Sequence, residues 1–260
     1  MTAKIFEYSP ESIAKVYNPS FPLDYIEYEK SLLRIVSDLD IKLAKYIDFK
    51  LIDNQPAMIM ERIDGRSLLA EVLRRPLSIS AVLDSFIEAQ REIHSKHTDQ
   101  LPNEKTRFRG QLSRSGLDQS TREKIESLVD QLPDGNSVCH GDFHFGNIIS
   151  TPNGLYTIDW MNSYGGNPIG DIFRSYLMLK SPFNPLPIRG IRKFLFMTFK
   201  AIVAGLYIRK SLRATRLMKG EKSVWLTIMA AVRLCDNVPD EREWLERLIA
   251  RNLPLRMRLE

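Results

Sequence analysis

The run His140-Gly141-Asp142-Phe143-His144-Phe145-Gly146-Asn147 places a carboxylate and an amide five positions apart, with two imidazoles and two glycines around them. Transfer of a phosphoryl group to an alcohol needs a carboxylate that orients the hydroxyl and takes its proton. It also needs hard oxygen ligands that hold magnesium against nucleotide phosphates. Asp142 fits the first role and Asn147 the second. A second metal ligand is expected from a neighbouring strand end, and Asp159 in Ile158-Asp159-Trp160 supplies it, twelve residues after Asn147.

Those loops need elements to hold them. Ser137–Cys139 and Leu155–Ile158 read as short strands framing His140–Asn147 and Asp159–Gly170. Upstream, Ala3–Ser9 and Ile13–Tyr17 form one expected hairpin. Phe49–Asp53 and Ala57–Ile63, joined at Asn54-Gln55-Pro56, form another. Between them Ile26, Leu32, Leu33, Val36 and Leu39 recur at helical spacing, predicting a helix over 24–39 with Asp24 as its N-cap. Beyond Asp64-Gly65 the pattern turns helical over 67–75, 80–97, 120–131, 171–179, 188–218 (with a possible break at Gly205) and 222–249. The expected class is therefore α+β, with a small N-terminal β-sheet lobe over residues 1–65 and a larger, mainly helical lobe over 66–260.

Composition narrows the setting. A chain of 260 residues with 43% hydrophobic and 27% charged content has the makings of a large core, and its net charge of +5 favours anionic ligands only weakly. Cys139 and Cys235 do not make a disulfide framework, so a cytoplasmic location is expected. The most apolar stretch, Phe194–Ile208, is short for a bilayer and contains Lys200, which predicts a buried helix and no membrane segment. Nucleic acid is an unlikely partner: Arg189–Lys222 is basic, with Arg192, Lys193, Lys200, Arg209, Lys210, Arg213, Arg216 and Lys219, yet Phe194, Phe196, Phe199 and Tyr207 read as core.

With His140-Gly-Asp-x-His-x-x-Asn147, Ile158-Asp159-Trp160 and Gly170-Asp171 in place, the chain resembles the aminoglycoside phosphotransferase family. That family includes choline-kinase-like and other small-molecule kinases of protein-kinase-like fold. The resemblance implies a two-lobed fold, Asp142 as catalytic base, Asn147 and Asp159 as magnesium ligands, and ATP or GTP as donor. His140, His144 and Asp171 would brace the loops. It also implies a strand lysine, Lys15, reaching the nucleotide phosphates and held by Glu29 of the following helix, whose face it shares with Leu32, Leu33 and Val36. Backbone groups of Glu61 and Ile63 would meet adenine.

Two departures bear on function. Only fourteen residues precede Lys15 and none is glycine, so Ser9-Pro10-Glu11-Ser12 stands where no phosphate-covering turn is visible. Twelve positions from Asp159 to Asp171 leave too little chain for a protein kinase's peptide-docking segment, and Gly141 replaces the arginine of that class, which together favour a small-molecule acceptor. An aminoglycoside would call for carboxylates such as Asp236, Asp240, Glu241, Glu243 and Glu246; Trp160, Asn162 and Tyr164 neighbour the chemistry. The expected activity is phosphoryl transfer to a hydroxyl of an aminoglycoside, a choline-like alcohol or another metabolite. The alternatives are a nucleotide-binding protein with weak or lost kinase activity and a metal hydrolase built on His140, Asp142, His144 and Asp159.

Overall fold

The computed structural model describes residues 3–184, 186–213 and 217–253. In chain order its elements are β1 (Ala3–Ser9), β2 (Ser12–Tyr17), α1 (Leu23–Ser37), β3 (Tyr46–Ile52), β4 (Gln55–Glu61), β5 (Arg66–Ser67), α2 (Leu68–Arg74), α3 (Ile79–His94), α4 (Glu104–Leu112), α5 (Gln119–Asp130), β6 (Ser137–Cys139), β7 (Ile148–Thr151), β8 (Gly154–Thr157), β9 (Tyr164–Gly166), α6 (Pro168–Lys180), α7 (Gly190–Ser211), α8 (Lys219–Arg233) and α9 (Arg242–Asn252). They form two compact units, one of residues 1–82 with 145–163, the other of 83–144 with 164–260.

The first unit is built on an antiparallel sheet of order β1-β2-β4-β3. β4 lies between two partners, and Pro56–Met60 is buried as a continuous apolar run. β1 lies at an edge, with Lys4–Tyr8 exposed. The β3–β4 turn places Asp53 and Asn54 at positive φ, the left-handed pair that a tight hairpin requires. α1 turns Ile26, Glu29, Leu32, Leu33 and Val36 inward. Asp24 lies in the first turn of α1 and Pro22 takes the cap position, so the expected N-cap is corrected: proline's fixed φ and missing N–H suit that entry. A smaller sheet, β5-β7-β8, completes this unit. Gly65 is required beside it, because a Cβ there would lie 2.4 Å from the Ser150 carbonyl.

The second unit is mainly helical, with the β6–β9 pair beside the His140–His144 loop. α8 is buried on all sides over Ile228–Val232, and α5, α6 and α9 pack on it. The single helix expected over 222–249 is two helices. α8 ends at Arg233, a 3-10 turn spans Leu234–Asp236, and Asn237 and Asp240 adopt positive φ around Pro239, which lacks an N–H for a helix to continue. α7 runs unbroken through Gly205 and ends at Ser211; residues 214–216 of the expected helix, Arg216 among them, lie outside the described residues. Phe194 is 65% exposed, which corrects its reading as core, whereas Tyr207 is fully buried.

Candidate active site

In the first unit the sheet and α1 fix a charged cluster. Lys15 points inward from β2, and its Nζ lies 2.5 Å from Glu29 Oε1 and 3.5 Å from Asp159 Oδ1. Tyr17 donates to the other Glu29 oxygen at 2.7 Å, so both oxygens of a buried carboxylate are satisfied. Burial works against the Lys15 charge, but Asp159 and then Glu29 outweigh it and raise its pKa above the ordinary lysine value. The Tyr17 hydroxyl is pushed up by burial and by the Glu29 charge, so it stays protonated as a donor.

The β7–β8 hairpin brings Asn147 beside Asp159. Ile158 donates its N–H to the Asn147 carbonyl at 3.0 Å, which extends the ladder one residue past the Ile148–Thr157 pair. Asp159 then turns out of the strand at φ 64, a left-handed conformation that aspartate tolerates better than most residues. Its side chain is 47% exposed, while Asn147 is buried. An amide oxygen and a carboxylate are hard donors suited to magnesium, an ion that keeps waters and phosphate oxygens as its other ligands.

Glu61 closes β4, its N–H bonded to the Lys45 carbonyl at 2.8 Å, and Ile63 follows two residues on. An open cavity of about 750 Å³ is bordered by Glu11, Tyr46, Glu61 and Arg62. The β1–β2 turn is closed by a 2.6 Å hydrogen bond between the Ser9 and Ser12 hydroxyls.

In the second unit the loop after β6 is held from below by Asp171. This carboxylate is fully buried within the first turn of α6 and accepts from the Gly141 N–H at 2.8 Å, the His140 N–H at 3.4 Å and Gln90 Nε2 at 3.2 Å. His94 Nε2 lies 2.9 Å from it. Burial alone would raise its pKa, yet the hydrogen bond from His94 and its other donors hold it down at about 2. Asn167, rather than Asp171, caps the helix, accepting from the Ile169 N–H. The Asp142 N–H donates to His140 Nδ1 at 3.2 Å, and His144 Nε2 lies 3.7 Å from Asp142 Oδ2. Gly141 sits at φ 74, where a side chain would be strained, so the missing arginine is also a backbone requirement.

Sequence reasoning missed a brace on the same loop. Arg174, buried in α6, donates through Nε to the Gly141 carbonyl and through Nη2 to Asp236 at 2.8 Å. Asp236 also receives Arg233, and Arg233 forks onto the buried Glu241 at 2.7 and 2.8 Å. Asp236 and Glu241 are thus spoken for by structural cations. Glu243 and Glu246 make exposed pairs with Arg247 and Arg242 along α9, so of the expected acceptor carboxylates Asp236 and Glu241 are the two held within the fold. Trp160 and Tyr164 are fully buried, which removes them as acceptor-lining groups.

The Phosphotransferase enzyme family (APH) profile matches residues 7–198, a span that contains both loops and the Lys15 strand. The chain belongs to this family. The phosphotransferase shares its fold with an aminoglycoside phosphotransferase from Streptomyces rimosus (16% identity over 85% of this chain and 86% of the other, TM-score 0.55). It is similarly like the amicoumacin kinase hAmiN (15%, 97% and 88%, TM-score 0.54) and a choline kinase from Cryptosporidium parvum (14%, 97% and 88%, TM-score 0.52). No protein of curated function matches it in sequence. The protein-kinase-like α+β fold read from the motifs is the fold of this phosphotransferase. Among the described residues no three His, Cys, Asp or Glu side chains converge to hold a metal ion.

Proposed function

We propose that this phosphotransferase is a small-molecule kinase that moves the γ-phosphoryl group of magnesium-bound ATP or GTP to a hydroxyl of a small acceptor. The observation that carries this reading is the Lys15 cluster, a cation held by a buried glutamate and set 3.5 Å from a half-exposed carboxylate that has Asn147 across the hairpin. Lys15 would bind phosphate oxygens, with Glu29 holding it in place. Asn147 and Asp159 would hold magnesium, whose chemistry there is to neutralise charge on the phosphates. Backbone groups of Glu61 and Ile63 would meet the base. Asp142 would take the acceptor's proton as its oxygen bonds to the γ-phosphorus and the bond to the β-phosphate oxygen breaks, releasing the nucleoside diphosphate. On this reading residues 1–65 are the nucleotide-holding part, and 66–260 carry the catalytic and metal loops.

The amicoumacin kinase is in complex with AMP-PNP and Ca2+, which supports a nucleotide donor and a divalent ion for this relative in fold. A cytoplasmic location remains part of the proposal. Aminoglycosides, choline-like alcohols and other metabolites all remain within the acceptor class, with the engaged carboxylates favouring the less cationic ones. A nucleotide-binding protein with little turnover is the second reading, favoured by the glycine-free β1–β2 turn closed by Ser9 and Ser12.

Thermal shift tests the nucleotide half. Wild type should be stabilised by millimolar Mg-ATP or Mg-GTP, and Lys15→Ala and Asp159→Ala should each lose most of that shift. No shift for wild type would sink the kinase proposal. A wild-type shift with no phosphate transferred to any member of an alcohol panel would favour the second reading.

A further inference from the structure

α7 presents an exposed apolar face that the phosphotransferase chemistry does not use. Ile191, Phe194, Leu195 and Ile202 are 70%, 65%, 59% and 57% exposed. At about 100° per residue they fall within one arc of roughly 100°, opposite the buried Val203, Ala204 and Tyr207. From Ile191 to Ile202 that face is about 17 Å long. Solvent exposure of such a stripe is unfavourable unless something covers it.

Its charge identifies what would cover it. From Ile172 through Gly220 the sequence holds no aspartate or glutamate. Arg189, Arg192, Lys193, Arg209 and Arg213 are exposed, and none forms an ion pair among the described residues. This differs from α9, where Arg242 and Arg247 pair with glutamates along the helix. By the same geometry Arg209 continues the line of the stripe towards the end of α7 and Arg192 lies about 60° beyond its edge, whereas Arg189 and Lys193 fall on the opposite side. Exposed cations beside and in line with an apolar stripe suit a surface that is anionic at its face and hydrocarbon beneath. A second copy would set these cations against one another. Nucleic acid would satisfy the cations but gain nothing from Ile191, Leu195 and Ile202, which cannot stack on bases.

We propose that the exposed face of α7 lies on anionic lipid bilayers, with Ile191, Phe194, Leu195 and Ile202 entering the headgroup boundary and Arg192 and Arg209 meeting lipid phosphates. The helix lies on the surface and does not span it: among the described residues no helix is long and apolar enough to cross a membrane. This inference stands apart from the kinase proposal, since none of these residues belongs to the Lys15 or Asp142 clusters.

The test is co-sedimentation of the full chain with vesicles of phosphatidylcholine alone or mixed equally with phosphatidylglycerol. Binding to the anionic vesicles should exceed binding to neutral ones by about tenfold or more and fall with added salt. The pair Phe194→Glu with Leu195→Glu, and separately Arg192→Glu with Arg209→Glu, should each bring binding down to the neutral-vesicle level while leaving the melting temperature unchanged. Failure of wild type to bind anionic vesicles would overturn the proposal, as would unchanged binding by the Phe194 and Leu195 pair. It would also be overturned if that pair converted a dimer to a monomer in light scattering, or if wild type bound duplex DNA more tightly than the vesicles.

Discussion

Asp171 and Lys15 are both charged side chains held by a set of partners, and the contrast between them separates a brace from a group proposed to bind phosphate. Asp171 is fully buried and takes two backbone N–H groups, an amide and an imidazole, donors that complete its hydrogen-bonding capacity. Nothing from solvent is needed there, and the carboxylate acts by fixing the loop that carries Asp142. Lys15 has one buried partner, Glu29, and a second, Asp159, that is 47% exposed. An ammonium held on one side and open on the other can still accept an anion. Complete satisfaction makes a brace, and partial satisfaction leaves a place for a ligand.

The contrast can be broken most forcefully at Asp171. Asp171→Ala leaves four buried donors without their acceptor and should cost about 4 kcal/mol in chemical denaturation, with a fall in kcat as the loop loosens. If stability and kcat were both unchanged, Asp171 would not be a brace. Its folded pKa of about 2, below the ordinary carboxylate value of 3.8, makes the contribution present above that ordinary value and lost as pH falls towards 2.

Glu104 offers a smaller test in the same unit. It is buried on α4 and accepts from the Asn167 N–H at 2.9 Å, and burial lifts its pKa to about 7. A carboxyl that holds its proton more tightly folded than unfolded imposes no ionisation cost at low pH. That cost begins to appear above the ordinary pKa of 4.5 and is complete above 7. Glu104→Gln should therefore stabilise the protein by about 2 kcal/mol at pH 8 and have little effect at pH 5, as read by urea melts at the two pH values. An equal effect at both would contradict the assignment.

The smallest effect is expected at the open cluster. Glu29→Gln keeps a hydrogen-bonding side chain but removes the charge that holds Lys15, and should raise the KM for nucleotide by about tenfold with a smaller change in kcat. A fall in kcat alone would place Glu29 with the braces instead.

These contrasts were unevenly legible in the sequence. The hairpins, α1, and the inward placement of Lys15 and Glu29 followed from alternation and helical period, which one or two turns of chain suffice to display. His140–Asn147 and Asp159 stand out in the sequence because polar side chains crowd two short contiguous runs. Arg174 and Asp236 were not, since their pairing joins positions 62 residues apart and neither has a local signature. α4 escaped because Glu104 and Gln111 are buried polar residues that blur its apolar face, although Asn103 capping Lys105 and Thr106 was a usable signal. The α8–α9 break was written in Asn237-Val238-Pro239-Asp240 and was overridden by the helical period on either side. Phe194 reads as core in the sequence because period reports an apolar face without saying whether anything covers it.

The most direct test of the central claim is phosphoryl transfer by Asp142→Asn, followed by phosphorus NMR with Mg-ATP and the best acceptor of an alcohol panel, alongside nucleotide affinity for the same variant. The account predicts that wild type forms a phosphate monoester, and that the variant binds nucleotide as wild type does while transferring phosphate about a thousandfold more slowly. Transfer by the variant at the wild-type rate would contradict it.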